Sequence, residues 1–512
     1  MTPTTFNATD YLLRNGPGDR TAVVCGALSL TYQELADETR RVAAGFRAVG
    51  VRPEERVLLC MADGVELLTG ILGAMWLGAV PVPVSTMVTG PELSTMLVDS
   101  RARVLCVSTE FAAAAEVALA AGSEVERVIV DGDVNRPWLR WHELRELGEP
   151  GDAYPTWADS PALWLYTSGT TGKPKGAMHR HGSVRDVAEL YGRGVLDVRP
   201  DDRCLSVPKL FFAYGLGNSA FFPLSAGATT ILARARPTPQ VVAALVAATR
   251  PTLFFGVPTF YSALLNSDIP DDTFSSVRQG VSAGEPLPPI LLSRFRERFG
   301  VEILDGLGST EALHIFLSNR PGAVRPGSTG TPVDGYRVEI RDEQGTPIES
   351  VGQPGDLFLS GPSVATGYWC RTETTRQVFQ GEWLRTGDTY VRNEDGTYTC
   401  LGRSNDMLKA GGIWVSPTEV EERLLEHPDV AEVAVVAGRD SDGLDKPIAC
   451  VVPVAGRTVD AAALVQWCRE GLAAYKRPRA VVRVTELPKT ATGKIRRNVL
   501  RELVADELVV RT

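Results

Sequence analysis

The sequence lacks the cysteine pairings that staple a secreted domain. Its eight cysteines (Cys25, Cys60, Cys106, Cys204, Cys370, Cys400, Cys450 and Cys468) are scattered, with no C-x-x-C pair and no short-range histidine partner. Disulfides and zinc are therefore not expected, and a reducing compartment, the cytoplasm, is the default location. Positive charge is short as well: a net charge of −9 argues against nucleic acid or an acidic membrane as partner. Met1 to Phe6 has neither a cationic start nor an apolar core, so no signal peptide is read there. Long hydrophobic runs are missing too. The nearest candidate, Leu67 to Val84, is uncharged but interrupted by Gly70, Gly73, Gly78, Pro81 and Pro83. A membrane span needs ~20 mostly apolar residues. A buried helix over 67–77, a glycine stop and an alternating strand over 79–84 describe the stretch better.

What is present is an ordinary globular composition, 44% hydrophobic and 22% charged, over 512 residues. That length is too great for one core, so two or more domains are expected. Thr21 to Val24, Arg56 to Cys60, Val104 to Val107 and Val128 to Val130 read as strands, and Tyr32 to Val49 carries apolar residues at helical spacing. Alternation of this kind over residues 1–160 predicts an α/β sheet with helices on its faces.

Ala162 to Tyr166 is short and apolar enough to be one buried strand. It leads into Thr167-Ser168-Gly169-Thr170-Thr171-Gly172-Lys173-Pro174-Lys175-Gly176, a run of hydroxyls, glycines and lysines that no packed core uses. The glycines let successive N–H groups turn inward into an anion-binding nest, the hydroxyls add donors and Lys175 adds a point charge. The run is a grip for a polyphosphate, though its spacing is not that of a Walker A loop.

This run resembles the phosphate loop of the adenylate-forming enzymes, which include acyl- and aryl-CoA ligases, amino-acid adenylation domains and beetle luciferases. The resemblance extends over essentially the whole chain. It implies a large multi-sheet N-terminal α/β domain over residues 1–403 that binds ATP and the acid. A small mobile α+β C-terminal domain over 404–512 would follow. On this reading Thr167, Ser168, Gly169, Thr170, Thr171 and Gly172 hold the ATP phosphates, and Gly284, Glu285 and Pro286 border the adenine. Asp305, Gly306, Leu307 and Gly308 continue that border: Asp305 is an acceptor for an exocyclic amine, and the glycines let a planar base lie against backbone. Leu307 stands where many members carry a stacking aromatic. Thr310 bonds a phosphate oxygen, Glu311 is a hard ligand for Mg²⁺ with Thr170 as its companion, Asp388 in a turn accepts the ribose hydroxyls, and Arg403 reaches ribose and phosphate.

Lys209 to Asn218 places Phe211, Phe212 and Tyr214 directly before a glycine turn at Gly215 and Gly217. The run looks like that of benzoate-CoA ligases. Phe212, Ala213, Tyr214 and Gly215, with Ser282, Gly308, His314 and Ile315, are then expected to hold an aromatic ring. His314 lies one helical turn beyond Glu311. His179 and His181, two residues apart, are placed at the start of a helix behind the site, and metal binding by them is not expected.

Beyond Arg403 the family's hinge residue, usually Asp or Lys, is here Asn405. Gly411, Gly412 and Trp414 resemble the segment that admits the pantetheine arm of coenzyme A. Lys476 either faces its phosphates or belongs to a solvated face. Pro488-Lys489-Thr490 with Gly493-Lys494 resembles the mobile loop that carries the catalytic lysine, Lys494. The implied activity is ATP- and Mg²⁺-dependent conversion of an aryl acid to its CoA thioester through an acyl-AMP, with Lys494, Glu311, Thr310 and Lys175 as the catalytic set. A stand-alone enzyme that loads a carrier protein is the alternative. A monomer or homodimer is expected.

Overall fold

The computed structural model describes residues 4–168, 174–404, 408–410, 413–439, 445–473, 476–489 and 495–508. The uncharged stretch is a helix, Val65–Trp76, buried along almost its whole length. Its glycines are points of close approach: a Cβ on Gly73 would lie 2.9 Å from Val42 of the helix Tyr32–Ala48, and one on Gly70 would lie 3.2 Å from Trp141. Gly78 turns the chain with φ of +77°. The strand that follows, Val80–Pro83, does not alternate as expected, because all four residues are buried. It is an edge strand, which tolerates Pro81 and Pro83, and it is covered by the strand Pro161–Ser168. No described helix is long and apolar enough to cross a membrane.

Among the described residues the strands Arg56–Cys60, Val104–Ser108 and Arg127–Asp131 form a parallel sheet with Val80–Pro83 and Leu139–Arg140. Thr21–Cys25 does not join them, contrary to the expected single alternating sheet. It pairs in parallel with Thr229–Leu232, Val24 opposite Ile231, in a second and larger sheet. A pairing across two hundred residues leaves no trace in local periodicity. The same sheet continues through Arg203–Ser206, Leu253–Gly256, Gln279–Ser282 and Ile303–Gly308, all parallel, and then turns antiparallel at Ile315–Ser318. A third, antiparallel sheet contains Arg337–Arg341, Gly355–Ser360, Trp383–Arg392 and Tyr398–Arg403. Asp395 and Gly396 form the expected hairpin turn between its last two strands.

The C-terminal part is a small α+β unit: the sheet Val430–Arg439, Asp445–Pro453 and Ala480–Arg483, with the helix Pro417–Leu425 packed on its first strand. Pro417 opens the helix and Ser416 caps it, accepting from the Glu419 N–H while donating to the Leu401 carbonyl. Glu422 on this helix is half-buried, and burial together with Glu419, Glu421 and Glu426 pushes its carboxyl up to about 7. A raised carboxyl pKa means that the folded state holds the proton more tightly than the unfolded chain. Its contribution is present below the ordinary value of 4.5 and is lost as pH rises through about 7. Glu422→Gln is therefore expected to be near-neutral at about pH 5 and to raise the thermal midpoint at about pH 8. Paired melting curves at the two pH values check this; an equal shift at both would refute it.

Candidate active site

The described residues on either side of the phosphate-loop glycines pair as two antiparallel strands. Pro161–Ser168 pairs with Pro174–Arg180 so that Thr167 lies opposite Lys175 and Ser168 opposite Pro174. Gly169, Thr170, Thr171 and Gly172 lie outside the described residues, as do Asn405, Gly411, Gly412 and Lys494. Trp414 falls in the strand Ile413–Val415.

Tyr368 brings Lys175 and Glu311 together. The Lys175 ammonium sits 4.8 Å from the centre of the Tyr368 ring, and the Tyr368 hydroxyl donates to Glu311 Oε1 at 2.6 Å. Burial, reinforced by Glu311, pushes the phenol well above its ordinary value, so it stays protonated and remains a donor. Neither the charge of Lys175 nor the carboxylate could have pointed to Tyr368, which lies 57 residues beyond Glu311 in sequence. Magnesium takes oxygen donors and keeps several waters. Among the described residues no cluster of three His, Cys, Asp or Glu gathers to hold a metal. A single carboxylate fixed by a tyrosine, with Lys175 on the same ring, is a donor set that suits Mg²⁺ carried with a polyphosphate.

Glu311 and His314 do not share a helix face. Ser309 to His314 is a tight turn between two strands, with Leu313 at φ of +67°, and the two side chains have separate partners. The backbone of this turn is pinned from outside: His179 Nε2 donates to the Thr310 carbonyl at 2.8 Å, and the Ala365 N–H donates to that of Glu311. His179 is in the strand Pro174–Arg180 rather than at a helix start, and burial pushes its pKa down to about 4, so it holds the turn as a neutral ring. His181 does begin a helix and accepts the Ala8 N–H.

A cavity of about 740 Å³ opens beside this turn. Gly284, Glu285, Pro286, Asp305, Gly306, Leu307, Gly308, Asp388 and Arg403 line it from the large part of the chain; Pro417, Thr418, Glu421, Glu422 and Arg497 line it from the small part. Asp305 is buried with Oδ1 unpartnered, and desolvation pushes its carboxyl well above the usual range. Asp388 is not in a turn. It lies within the ten-residue strand Trp383–Arg392, cross-strand from Arg403, whose Nε is 3.3 Å from its Oδ1. Gly387, at φ of +76°, bends that strand from within, so the sequence there reads as a turn.

Of the residues expected around the acid, Tyr214, His314, Ile315 and Gly308 come together in a second cluster that adjoins the cavity, whereas Phe212 packs against Phe211, ring centres 4.5 Å apart. Gly215 and Gly217 are not a turn: a short helix starts at Ala213 and continues through both as helical backbone. They are glycines because of close packing, since a Cβ on Gly215 would lie 2.0 Å from the Lys209 carbonyl and one on Gly217 2.3 Å from the His314 ring. His314 is buried among Tyr191, Tyr214 and Phe222, with ring centres 5.3, 5.4 and 4.5 Å away. Burial pushes its pKa down to about 3. Tyr214 donates to the Val281 carbonyl at 3.1 Å, and Ser282 is buried beside it in sequence with its hydroxyl unpartnered. Asn218, buried against His314 at 3.1 Å, and Tyr191 belong to the cluster but were not singled out from sequence; a buried asparagine within an apolar stretch was the available signal.

Gly308 joins the two regions. It ends the strand lining the cavity, pairs with Ile315, and comes so close to His314 that a Cβ would lie 2.8 Å from that residue's carbonyl oxygen. On the small part, Lys476 pairs with Glu419 at 2.5 Å at the edge of a separate cavity of about 440 Å³ that Ser416 and Thr418 also line.

This geometry has close counterparts. Residues 13–369 match the AMP-binding enzyme family and residues 419–494 match the AMP-binding enzyme C-terminal domain. The chain is 44% identical to a benzoate–CoA ligase of Thauera aromatica, over 98% of this chain and 96% of that protein. It is 42% identical to a 4-hydroxybenzoate–CoA/benzoate–CoA ligase of Rhodopseudomonas palustris, over 97% and 94%. A crystal structure of a benzoate CoA ligase from Burkholderia xenovorans LB400 superposes with a TM-score of 0.91 at 44% identity, covering 97% of this chain and 100% of that one. The anthranilate CoA ligase AuaEII, solved with anthranoyl-AMP, superposes at 0.95 with 39% identity and 99% of each chain covered. With two family domains in order and relatives matched nearly end to end, the chain belongs to the AMP-binding, adenylate-forming enzyme family.

Proposed function

We propose that this chain is an AMP-forming acid–thiol ligase that converts an aromatic carboxylic acid, by way of its acyl-adenylate, to the coenzyme A thioester. The observation that carries this reading is the joint at Gly308, where an aromatic, largely apolar cluster meets a cavity bordered by glycines and carboxylates. A ring seated in the cluster would leave its carboxylate facing that cavity. The relatives named as benzoate, hydroxybenzoate and anthranilate CoA ligases support the same class of acid.

In the first half-reaction a carboxylate oxygen attacks the α-phosphorus of ATP; the new O–P bond forms as the bond to pyrophosphate breaks. Anions are brought together, so positive charge and donors must be in place beforehand. Lys175 and the phosphate loop hold the phosphates, Asp388 and Arg403 hold the ribose, and Asp305 meets the adenine amine. Lys494 supplies charge between the acid oxygen and the α-phosphate. Mg²⁺, held through Glu311 with Thr170, would neutralise phosphate charge. In the second half-reaction the thiol sulfur attacks the acyl carbon, AMP departs and the thiol proton passes to solvent. A lysine on the smaller domain, beyond a hinge at Asn405 near residue 404, lets that domain swing and present Gly411, Gly412, Trp414 and Lys476 to coenzyme A.

A panel of aryl, fatty and amino acids with ATP, Mg²⁺ and coenzyme A tests the reading; AMP and acyl-CoA are expected in equal amounts with aryl acids. AMP without thioester would point to a carrier protein as acceptor, and turnover of fatty or amino acids alone would refute the ring pocket. Lys494→Ala is expected to slow adenylation by ~10²–10³-fold while leaving ATP binding nearly intact. Tyr368→Phe, which leaves Glu311 without its donor, is expected to lower kcat by ~10-fold and raise the Mg²⁺ concentration needed for half-maximal rate. A magnesium titration of the variant checks that effect, and an unchanged requirement would remove Tyr368 from the site.

A further inference from the structure

Three segments far apart in sequence meet around Thr310 and Glu311. The strand Pro174–Arg180 carries Lys175, residues 363–369 carry Tyr368, and the turn with Thr310 and Glu311 follows the strand Ile303–Gly308. Residues 363–369 are bonded to both of the others. The Thr366 and Trp369 N–H groups donate to the Met178 and Gly176 carbonyls, and the Met178 N–H donates to that of Gly367. On the turn, the Ser363 hydroxyl donates to the Ala312 carbonyl at 2.6 Å, and the Ala365 N–H donates to that of Glu311 at 2.8 Å. The third side of this triangle, from strand to turn, is the bond between His179 Nε2 and the Thr310 carbonyl.

That bond is kept at a cost. A carbonyl oxygen only accepts, so Nε2 carries the proton, and the ring, held neutral by burial, has a bare Nδ1. This nitrogen has no partner, in a residue 1% exposed. An apolar side chain would fill the space without leaving a buried acceptor unpaired. The turn does not need the imidazole to close, since the Leu313 N–H also donates to the Thr310 carbonyl, at 3.2 Å. What His179 adds is a tether from the turn to the strand that carries Lys175.

We propose that His179 is a positioning residue for adenylation, whose Nε2 tether fixes Thr310 and the Glu311 carboxylate relative to Lys175. The proposal rests on the roles given above to Lys175, Thr310 and Glu311, and assigns the group that holds their spacing. His179 touches no reacting atom, and as a neutral ring it brings no charge to the phosphates. It serves as a donor at a fixed reach. Glutamine, whose side-chain Nε2 also donates, can take its place, whereas leucine has no donor and cannot.

The test separates the two half-reactions in His179→Leu, His179→Gln and the unaltered chain. Acid-dependent exchange of pyrophosphate into ATP reads adenylation, and thioester formation from supplied acyl-AMP reads the second step. In His179→Leu the exchange is expected to fall by ~10- to 100-fold and to need more Mg²⁺, with the second step changed by less than ~3-fold. His179→Gln is expected to recover exchange to within ~3-fold of the unaltered chain. Calorimetry with Mg·ATP alone gives a readout free of turnover, with binding ~10-fold weaker in His179→Leu but not in His179→Gln. Nitrogen NMR of the unaltered protein, labelled at its five histidines, gives another, with His179 assigned by the signal lost in His179→Gln. A protonated Nε2 and a bare Nδ1 are expected, and the Nε2 signal is expected to move when Mg·ATP is added. That measurement decides the matter even if His179→Leu does not fold. Equal slowing of both half-reactions, a glutamine variant no better than the leucine one, or an Nε2 signal that Mg·ATP leaves in place would each overturn the proposal with the ligase reading intact. Absence of exchange with every aryl acid in the unaltered chain would overturn that reading, and this inference with it.

Discussion

The site depends on two contacts that exist only because a side chain is missing. Gly217 brings helical backbone against the His314 ring, and Gly308 brings a strand end against the His314 backbone. Together they clamp one residue from two sides and fix the distance between the aromatic cluster and the cavity beside it. A methyl group at either position would overlap its neighbour at well under van der Waals distance. The large parallel sheet supplies rigidity on one side of this clamp, because Ile303–Gly308 is hydrogen-bonded both to Gln279–Ser282 and to Ile315–Ser318. The segment carrying Ala365 and Tyr368 fixes the other side, through the Tyr368 hydroxyl on the Glu311 carboxylate and the Ala365 N–H on the Glu311 carbonyl.

Electrostatics divides the region along the same line. In the aromatic cluster every titratable group is held neutral: burial lowers His314 and raises Tyr214 and Tyr191. Toward the cavity, Arg403 and Asp388 form a cross-strand ion pair, and Lys175 lies over the face of Tyr368. Asp305 sits on the border. Its burial disfavours the ionised form, its Oδ1 is buried without a partner, and the residue lines the cavity. One strand therefore passes from a region that excludes charge to one that accommodates it.

Local chemistry was legible in the sequence, and long-range pairing was not. The phosphate-loop run, the strand before it, the hairpin at Asp395 and the helix opened by Pro417 follow from turn, cap and periodicity signals that span ten residues or fewer. The errors share a cause. Gly215 and Gly217 looked like a turn because glycine signals both turning and crowding; Gly217 is crowded by His314, about a hundred residues away, and Gly215 by the Lys209 carbonyl across the start of the helix. Asp388 looked like a turn carboxylate because Gly387 bends a strand from within. Thr21–Cys25 was grouped with its neighbours in sequence, whereas its partner is Thr229–Leu232. Tyr368 and Asn218 are ordinary residues in isolation and acquire meaning only from what the fold sets beside them.

The polarity step across Gly308 also bears on how a small acid would orient without any cationic residue within the cluster to grip its carboxylate. An ionised carboxylate pushed into the cluster would lose its hydration among neutral rings, at a cost of several kcal/mol or more. The ring entering first avoids that loss and buries its apolar faces against Tyr214 and its neighbours. Orientation is then enforced by what the cluster refuses rather than by what the cavity attracts. Such a device leaves the carboxylate oxygens free for the reaction, whereas a salt bridge to a fixed lysine or arginine in the cluster would have to be broken before either oxygen could attack phosphorus. The positive charge that the reaction does need is better carried by a separate, movable element, because it is wanted at the first half-reaction and in the way at the second. On the proposed reading, a neutral cradle with a separate unit beyond Arg403 would suit two reactions with different charge requirements at one carbon.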